Sequence, residues 1–276
     1  MVAVKIMSVY LVFVIVFLYL VWIKCIYYQH RRTLAKSLKR IMDVVSGRET
    51  DGADVRALIV TAHPDDECMF FAPTIIRLVE LNASVHLLCL SEGNYYSQGA
   101  QRKQELLNSC AVLGIPASRI TIVDHKKLPD DPKAEWSVSL ISSVIVKHVR
   151  GHSFNVVLTF DGRGVSGHAN HTAIHKAVSH LASTGQVPHD CCLLSLVTVG
   201  LFRKYVSLLD LPLSWLLTSS LCCAVTSQGY RQAKAAMLCH RSQLLWFRYL
   251  YITFSRYMFI NTFRMIPQGP KNLKIY

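Results

Sequence analysis

The stretch that decides the fold is residues 57–90, which read ALIVTAHPDDECMFFAPTIIRLVELNASVHLLCL. Its two ends, 57–61 and 84–90, are short runs rich in aliphatic residues, and 69–81 between them carries apolar residues at helical spacing. Neither run alternates regularly between apolar and polar residues, as a strand does when one face meets water. The stretch therefore predicts two parallel strands, joined by a helix and buried on both faces.

The same alternation of strand and helix continues along the chain. Further strands are predicted at 120–123, 155–160 and 193–199, and further helices at 101–113, 138–149 and 173–181. Strands separated by helices indicate an α/β fold, here a doubly wound, mainly parallel sheet of the Rossmann-like type. Because the glycine fingerprint of dinucleotide-binding folds is absent from the sequence, this shape does not indicate a nucleotide ligand.

The N-terminal region carries a membrane signal. Residues 6–23 contain no charged side chain, and as a helix they would extend about 27 Å, enough to cross the apolar layer of a bilayer. This run is longer than the apolar core of a secretory signal peptide, about 7–15 residues, and no small-residue cleavage site follows it. We therefore expect residues 1–23 to be an uncleaved transmembrane anchor.

The excess of basic residues is concentrated beside that run. The chain has 30 Lys and Arg against 17 Asp and Glu, and seven of the 30 lie in the first 40 residues, where no acidic residue occurs. Six of the seven follow the apolar run, so the positive-inside rule predicts that the bulk of the chain faces the cytosol. No DNA-binding motif or basic and aromatic platform occurs later, and we expect no nucleic-acid partner. The nine cysteines form no C-x-x-C pair, as is typical of reduced cytosolic thiols.

Three segments are expected: the anchor at 1–23, a basic juxtamembrane linker at 24–52, and a folded domain at 53–276 with an apolar, membrane-facing C-terminal part. Residues 31–48 of the linker place apolar side chains at helical spacing. This pattern suits contact with anionic lipid headgroups or with one face of the domain. Gly47 to Gly52 marks the end of the linker.

The C-terminal third offers two further membrane-facing candidates. Residues 208–225 are apolar, but an acidic residue and a proline interrupt them, which favours contact with the membrane interface over a second span. Between 246 and 259 lie seven aromatic residues together with Arg248 and Arg256. These residues suit either an aromatic belt with cations for lipid phosphate or the core of the domain.

Chemistry in a parallel sheet collects at the carboxyl ends of its strands. The predicted strand at 57–61 is followed by Ala62-His63-Pro64-Asp65-Asp66-Glu67. Neighbouring carboxylates repel one another unless a positive charge lies among them, and a divalent cation would supply that charge. The alternative is that the three acids only cap the next helix and complement its dipole.

A second strand end favours the metal interpretation. The predicted strand at 155–160 is followed by a glycine-rich loop and then by Ser166-Gly167-His168-Ala169-Asn170-His171, which places two imidazoles on one face of a helix. Nitrogen and oxygen donors without thiolate suit a catalytic site for Zn²⁺ or another divalent metal. Such an ion acidifies water and polarises a carbonyl group, which are the requirements for amide hydrolysis.

Together the two segments resemble the signature of the LmbE-like zinc-dependent de-N-acetylases. With the N-terminal run and HRSQLLWFR at 240–248, the chain resembles the branch of this family that acts in the synthesis of glycosylphosphatidylinositol (GPI) anchors. This resemblance, which extends from about Arg56 onward, implies hydrolysis of N-acetylglucosaminyl-phosphatidylinositol to glucosaminyl-phosphatidylinositol and acetate. It also implies an address in the endoplasmic reticulum membrane. Two alternatives remain: a de-N-acetylase that acts on a soluble amino sugar, and a non-catalytic, membrane-tethered module that only binds a sugar.

The resemblance also implies roles for individual residues. His63, Asp66 and His171 would bind zinc. Asp65 would be the general base that takes a proton from the attacking water, and protonated His168 would stabilise the oxyanion and help the amine leave. From the residues alone, one free carboxylate and one cation are needed, but which of the two aspartates binds the metal follows from the family only.

Four other residues have open roles. Glu67 either orients a metal-binding histidine or is an ordinary acid of a helix turn. Arg102 and Glu105 either contact the sugar or form a solvated ion pair at i, i+3. Some relatives carry a tyrosine near the paired histidines, where this chain has Ser166.

Overall fold

A seven-stranded sheet carries the fold. Its strands are β1 (Arg56–Thr61), β2 (Ser84–Cys89), β3 (Ile120–Ile122), β4 (Val156–Phe160), β5 (Cys192–Leu196), β6 (Leu221–Ala224) and β7 (Ile260–Met265). The spatial order is β3-β2-β1-β4-β5-β7-β6, in which β1 to β5 are parallel and β7 is antiparallel to both of its neighbours. The computed structural model describes residues 2–47, 54–131, 133–217 and 219–269. It confirms the predicted α/β class and all five predicted strands, with ends that differ by up to three residues.

Helices connect and cover the strands. They are α1 (Val2–Ser46), α2 (Asp66–Phe70), α3 (Ala72–Glu80), α4 (Gly99–Leu113), α5 (Val138–His152), α6 (Gly164–Gly167), α7 (Ala169–Ser183), α8 (Leu201–Lys204), α9 (Leu211–Leu216), α10 (Ser227–Met237) and α11 (Trp246–Phe254). The helix predicted at 69–81 begins earlier and is divided at Phe71, which ends α2 and precedes α3. Pro73 lies in the first turn of α3, where its missing N–H costs no hydrogen bond.

The strand order creates a crevice at the centre of the sheet. β1 and β4 are neighbours, but the chain leaves β1 toward β2 and leaves β4 toward β5. Because such crossovers are right-handed, the connections on the two sides put α3 and α7 on opposite faces. The carboxyl ends of β1 and β4 therefore border the position where ligands bind in doubly wound sheets.

β6 and β7 were not predicted from the sequence. Residues 208–225 were expected at the membrane interface, whereas residues 221–224 are a fully buried strand at the edge of the sheet. β7 contains the buried polar residues Asn261 and Thr262, which obscure its apolar pattern. Asn261 is satisfied in the core, since its Nδ2 donates to the carbonyl of Phe70 at 2.8 Å and its Oδ1 accepts from Thr74.

The N-terminal helix belongs to both a candidate membrane span and the domain. Among the described residues, Ile6–Gln29 of α1 is the stretch long and apolar enough to cross a membrane. Further along, Leu34, Leu38 and Ile41 are buried in the main core, so one face of residues 31–47 lies on the domain. The helix runs without a break across residue 23, the predicted end of the anchor. Residues 48–53, with most of the predicted end of the linker, lie outside the described residues.

A buried ion pair fastens the segment around α9 to the end of the sheet. Arg256, directly before β7, is fully buried, and its Nε lies 3.0 Å from Oδ2 of Asp210. Arg203 donates to both carboxylate oxygens of Asp210, at 2.7 and 3.0 Å, and Ser214 donates to Oδ2 at 2.6 Å. The interpretation of Arg256 as a cation for lipid phosphate is therefore wrong, because its charge is used inside the protein.

We expect Arg256→Gln to lower the free energy of unfolding by about 3 kcal/mol, since it leaves Asp210 buried with half of its positive partners. Arg203→Gln is the matched control, because it removes the other partner from a side chain that is 23% exposed. Its cost should be less than half as large. Chemical denaturation of the two variants in detergent micelles measures both values, and equal costs would contradict this account.

Candidate active site

Asp66 joins the two strand ends that the sequence singled out. Its Oδ2 accepts hydrogen bonds from the backbone N–H groups of Ala62 and His63, both at 2.9 Å. Its Oδ1 lies 3.2 Å from Nε2 of His171, on α7. Burial would raise the pKa of Asp66, but the imidazoles of His171 and His63 and the backbone donor hold it well below the usual range. Asp66 is therefore a carboxylate.

Three imidazoles meet beside this carboxylate. The ring centroids of His63 and His171 are 5.6 Å apart, and His168 lies 4.8 Å from each of them. One nitrogen from each ring falls within 4.8 Å of the other two. The loops after β1 and β4 thus bring their histidines close enough to share one ligand, as the sequence predicted.

The tautomer of His171 follows from its hydrogen bond. Its Nδ1 lies 3.0 Å from the carbonyl oxygen of Gly164, which can only accept, so Nδ1 carries the proton. In the neutral ring Nε2 presents a lone pair, and this buried nitrogen has no hydrogen-bond partner. Burial lowers the pKa of His171, but Asp66, 3.2 Å away, outweighs burial and raises it, so a cation bound between the two groups would take the place of a proton. Gly164 has φ +56°, and a Cβ there would lie 2.9 Å from the Cβ of His171, so the close approach requires glycine.

This arrangement fits a divalent cation. The unpartnered Nε2 of His171 and the anionic Asp66 face each other, and burial lowers the pKa of His63 to about 4, which keeps that imidazole neutral. Neutral imidazole and carboxylate are the forms in which these side chains bind metals.

A second cluster of possible ligands fits a metal less well. Glu67, Cys68 and His240 also offer atoms within 4.8 Å of one another. Glu67 and His240 already form a 2.7 Å ion pair, and burial raises the pKa of the Cys68 thiol well above its ordinary value. A protonated thiol is a poor ligand, so this cluster is better explained as a structural pair.

Asp65 has partners different from those of its neighbour. Its Oδ2 accepts from Nη2 of Arg248 at 3.0 Å, and Nη2 of Arg102 lies 3.9 Å from Oδ1. Burial raises its pKa, and the two guanidinium groups offset this effect only in part. The residue has φ +115°, an unusual conformation for a residue other than glycine. Its carboxyl group lines the cavity and, with a raised pKa, suits a proton acceptor.

His168 occupies the N-cap position of α7 and is half-buried. Its Nδ1 accepts a hydrogen bond from the backbone N–H of Asn170 at 3.3 Å, so the proton of the neutral ring resides on Nε2. Burial and the neighbouring His171 lower the pKa of His168. The resting side chain is thus a neutral N–H donor, whereas the resemblance implied a protonated one.

The five predicted site residues line one cavity of about 680 Å³. Its floor holds the carboxylates and imidazoles described above, and its mouth is bordered by exposed aromatic side chains, among them Tyr95, Trp246 and Phe247. A polar floor under an apolar mouth suits an amphiphilic ligand.

Comparisons with known proteins agree with this site. The family model described as PIG-L, GlcNAc-PI de-N-acetylase, matches residues 58–182, which include both strand ends. The N-acetylglucosaminyl-phosphatidylinositol de-N-acetylase of Bos taurus is 51% identical over 215 residues, covering 78% of this chain and 85% of the bovine protein. The chain belongs to the GlcNAc-PI de-N-acetylase family.

More distant relatives extend this assignment. A probable N-acetylglucosaminyl-phosphatidylinositol de-N-acetylase of Dictyostelium discoideum is 31% identical and covers 75% of this chain and 92% of its own length. The solved N,N'-diacetylchitobiose deacetylase of Pyrococcus horikoshii shares the fold, with a TM-score of 0.57 at 16% identity, over 85% of this chain and 93% of that one. The predicted class, a deacetylase and hydrolase of the LmbE-like type, is confirmed.

Within this family member, several residues that contact the site were not predicted to do so. Oδ1 of Asp130 lies 3.1 Å from Nε2 of His63, and the side-chain amide of Asn170 lies 3.0 Å from the same nitrogen. Arg248, named in the sequence analysis as a candidate cation for lipid phosphate and as part of the family resemblance, pairs with Asp65. Asp130 lies in the long loop between β3 and α5, well beyond the end of the strand, so the rule about strand ends does not single it out.

Glu67 has a role that neither sequence interpretation described. It is fully buried on α2, its Oε1 accepts from His240 and from Ser109, and its Oε2 accepts the backbone N–H of Asp65 at 3.0 Å. Its partner is therefore the left-handed backbone of Asp65 and not a metal-binding histidine. We infer that Glu67 and His240 hold the carboxyl group of Asp65 in place.

Arg102 and Glu105 do not form the solvated ion pair considered from the sequence. Both are buried, and Arg102 donates to Oδ2 of Asp130 at 2.7 Å and to the carbonyl of Pro64 at 2.7 Å. Glu105 instead accepts two hydrogen bonds from Ser242. Arg102 lines the cavity, as does the exposed Ser166, so both are within reach of a ligand.

The Glu67–His240 pair predicts a pH-dependent loss of stability in His240→Gln. Burial lowers the pKa of His240, but Glu67 raises it above its ordinary value of 6.5, and the pKa of Glu67 is lowered. The pair contributes fully between about pH 4.5 and 6.5, the ordinary pKa values of the two groups, and its contribution is lost as the pH rises through the higher pKa of folded His240. The difference in melting temperature between wild type and variant should therefore be large at pH 6 and shrink by pH 9.

His180→Gln, at an exposed position on α7, is the matched control and should show no such trend. Thermal unfolding followed by circular dichroism measures all three proteins. A difference for His240→Gln that grows toward pH 9 would rule out the ion pair as its cause.

Proposed function

We propose that this chain hydrolyses the acetamide of N-acetylglucosaminyl-phosphatidylinositol, giving glucosaminyl-phosphatidylinositol and acetate, with Zn²⁺ or another divalent ion held by His63, Asp66 and His171. The observation that carries the proposal is the buried, unpartnered Nε2 of His171 facing anionic Asp66. A second carboxyl group, that of Asp65, stands in the same cavity with a raised pKa. The 51% identity to the bovine enzyme supports this substrate.

A bound divalent ion acidifies water and polarises the amide carbonyl. Asp65 accepts the proton of the attacking water, and its raised pKa makes it a stronger base than an ordinary aspartate. Arg248 and Arg102 keep it ionised before the proton arrives. Asp130 and the side-chain amide of Asn170 both lie beside Nε2 of His63 and orient its ring, while Nδ1 lies 3.9 Å from Asp66.

The second proposed catalytic residue is His168, which lines the same cavity. Its Nε2–H donates a hydrogen bond to the oxyanion that forms when water adds to the carbonyl. The proton that Asp65 took from water then passes to the amine nitrogen, so that the C–N bond breaks and the products are acetate and a free amino group, while His168 keeps its own proton. Because the neutral ring already carries a proton on Nε2, this role does not require imidazolium in the resting enzyme.

The charge at the mouth favours a phosphorylated substrate over a neutral soluble amino sugar. Lys204 lines the cavity, and no carboxylate of the described residues pairs with it. Burial and the nearby Arg248 lower the pKa of its ammonium group. The phosphodiester of an inositol phospholipid would supply the missing negative charge.

The same proposal includes a location in the endoplasmic reticulum membrane with the domain in the cytosol. The single candidate span in the described part of α1 and the nine free cysteines support it. Asn170, the acceptor of a potential glycosylation sequon, is fully buried against His63, where a glycan could not be accommodated.

For the division of labour in the site, we expect Asp65→Asn to keep its metal and to lose about 10²–10⁴-fold in kcat, because the variant lacks the general base. His63→Ala and His171→Ala should lose the metal itself. Metal content by mass spectrometry and acetate release from the glycolipid measure the two effects.

His175→Ala, one turn after His171 on α7 and outside this cavity, is the control and should retain both metal and activity. Equal metal content in all four variants would refute the ligand assignment. Turnover that survives in Asp65→Asn would refute the base, and acetate release by the wild type would exclude the non-catalytic module.

For the phosphate, we expect Lys204→Gln to raise KM for the glycolipid about tenfold and to change kcat less than twofold, since the residue lines the cavity but pairs with none of the described carboxylates. Lys234→Gln, on the exposed side of α10, is the matched control and should leave KM unchanged. Steady-state kinetics in mixed micelles measure both variants. An unchanged KM in Lys204→Gln would favour the soluble amino sugar.

A further inference from the structure

Three short helices near the cavity expose apolar side chains to an unusual degree. We call six of these residues the collar: Leu201 and Phe202 on α8, Trp215 and Leu216 on α9, and Trp246 and Phe254 on α11. Leu201, Phe202 and Trp246 are 76, 83 and 75% exposed. Grouped apolar exposure of this kind is costly in water and marks an interaction surface.

The helix α1 indicates which side of the domain faces the bilayer. Ile23 and Ile26 pack on Ala224, the last residue of β6, and on Ile260, the first residue of β7. Because β7 is antiparallel to β5, its first residue lies at the carboxyl edge of the parallel strands, which is the edge of the active site.

Later residues of α1, such as Leu38, lie in the main core of the domain. Residues 6–22, which precede Ile23, are almost entirely exposed and must therefore project beyond the carboxyl edge. A bilayer that holds this segment consequently lies over the cavity and not behind the domain.

Two contacts place the collar at the level of the membrane surface. The hydroxyl of Tyr19 donates to the carbonyl of Leu209 at 2.6 Å, and the ring of Trp22 meets that of Trp215 edge to face at 6.4 Å. Tyr and Trp are enriched where a spanning helix passes from hydrocarbon into the headgroup region. The collar thus begins beside the part of α1 that suits the membrane–water boundary.

The cavity opens through this collar. Trp246 and Phe254 border its mouth, and α11, which carries both, also positions Arg248 on Asp65. We propose that the collar inserts into the interface of the leaflet that α1 enters, so that the active site opens directly onto the lipid surface. If, as the proposed function states, the substrate is a phospholipid, its headgroup enters the cavity while its acyl chains remain in the bilayer.

The test uses the full-length chain in phosphatidylcholine vesicles, in a background where Cys25 and Cys239 are changed to Ser. Phe202→Cys and Phe254→Cys are labelled with a polarity-sensitive fluorophore, and lipids with a spin label near the top of the acyl chain act as quenchers. Thr184→Cys is the matched control, because it is exposed after α7 at the opposite edge of the sheet. We expect quenching at 202 and 254 to be at least threefold stronger than at 184.

Equal quenching at the three positions, or none at 202 and 254, would overturn the proposal. As a second measurement, the double variant Phe202→Ser with Trp246→Ser should raise KM for vesicle-embedded glycolipid about tenfold, and an unchanged KM would count against insertion. The quenching experiment requires no turnover. Insertion of the collar and the proposed deacetylase function can therefore each be refuted without the other. Strong quenching in a protein without deacetylase activity would support the collar and refute the proposed function.

Discussion

The active site depends on the carboxylate of Asp66, which is held from two directions. Backbone N–H groups at the end of β1 fix one of its oxygens, and the other faces His171, which comes from the end of β4. A buried carboxylate is costly unless donors or positive charge surround it. The contacts that stabilise this buried carboxylate therefore fix the two loops relative to each other. As a consequence, the three imidazoles lie close together beside Asp66.

The pKa values of the adjacent residues Asp65 and Asp66 are shifted in opposite directions because their surroundings differ. Backbone donors and imidazoles lower the pKa of Asp66, whereas burial raises that of Asp65. The left-handed conformation of Asp65 turns it toward Arg248, and Glu67 fixes that turn by accepting the Asp65 N–H. Two carboxylates separated in pKa can divide the tasks of binding positive charge and accepting a proton.

The sequence allowed prediction of the parallel part of the sheet and of the two loops that form the site. Five strands were recognisable because both of their faces are apolar, and the loops after β1 and β4 were recognisable because ligand-type residues follow a buried strand. β7 was not predicted because its polar Asn261 interrupts the apolar pattern, and the partners Phe70 and Thr74 that satisfy this side chain lie on distant parts of the chain. Arg248 and Asp130 reach the site from distant parts of the chain, so no local pattern indicates their contacts. No pattern in the sequence indicates the direction in which α1 leaves the domain. That direction is visible in the structure.

The position of β7 has a consequence for how the protein is made. β7 lies between β5 and β6, and in the described sheet β6 pairs with β7 alone. Until the ribosome has translated residues 260–265, β6 has no neighbouring strand to pair with. The helix α1, which packs on β6, has been synthesised long before that point. If α1 enters the membrane first, the nascent domain completes its sheet while already tethered, with an open edge that needs protection from other chains until β7 arrives.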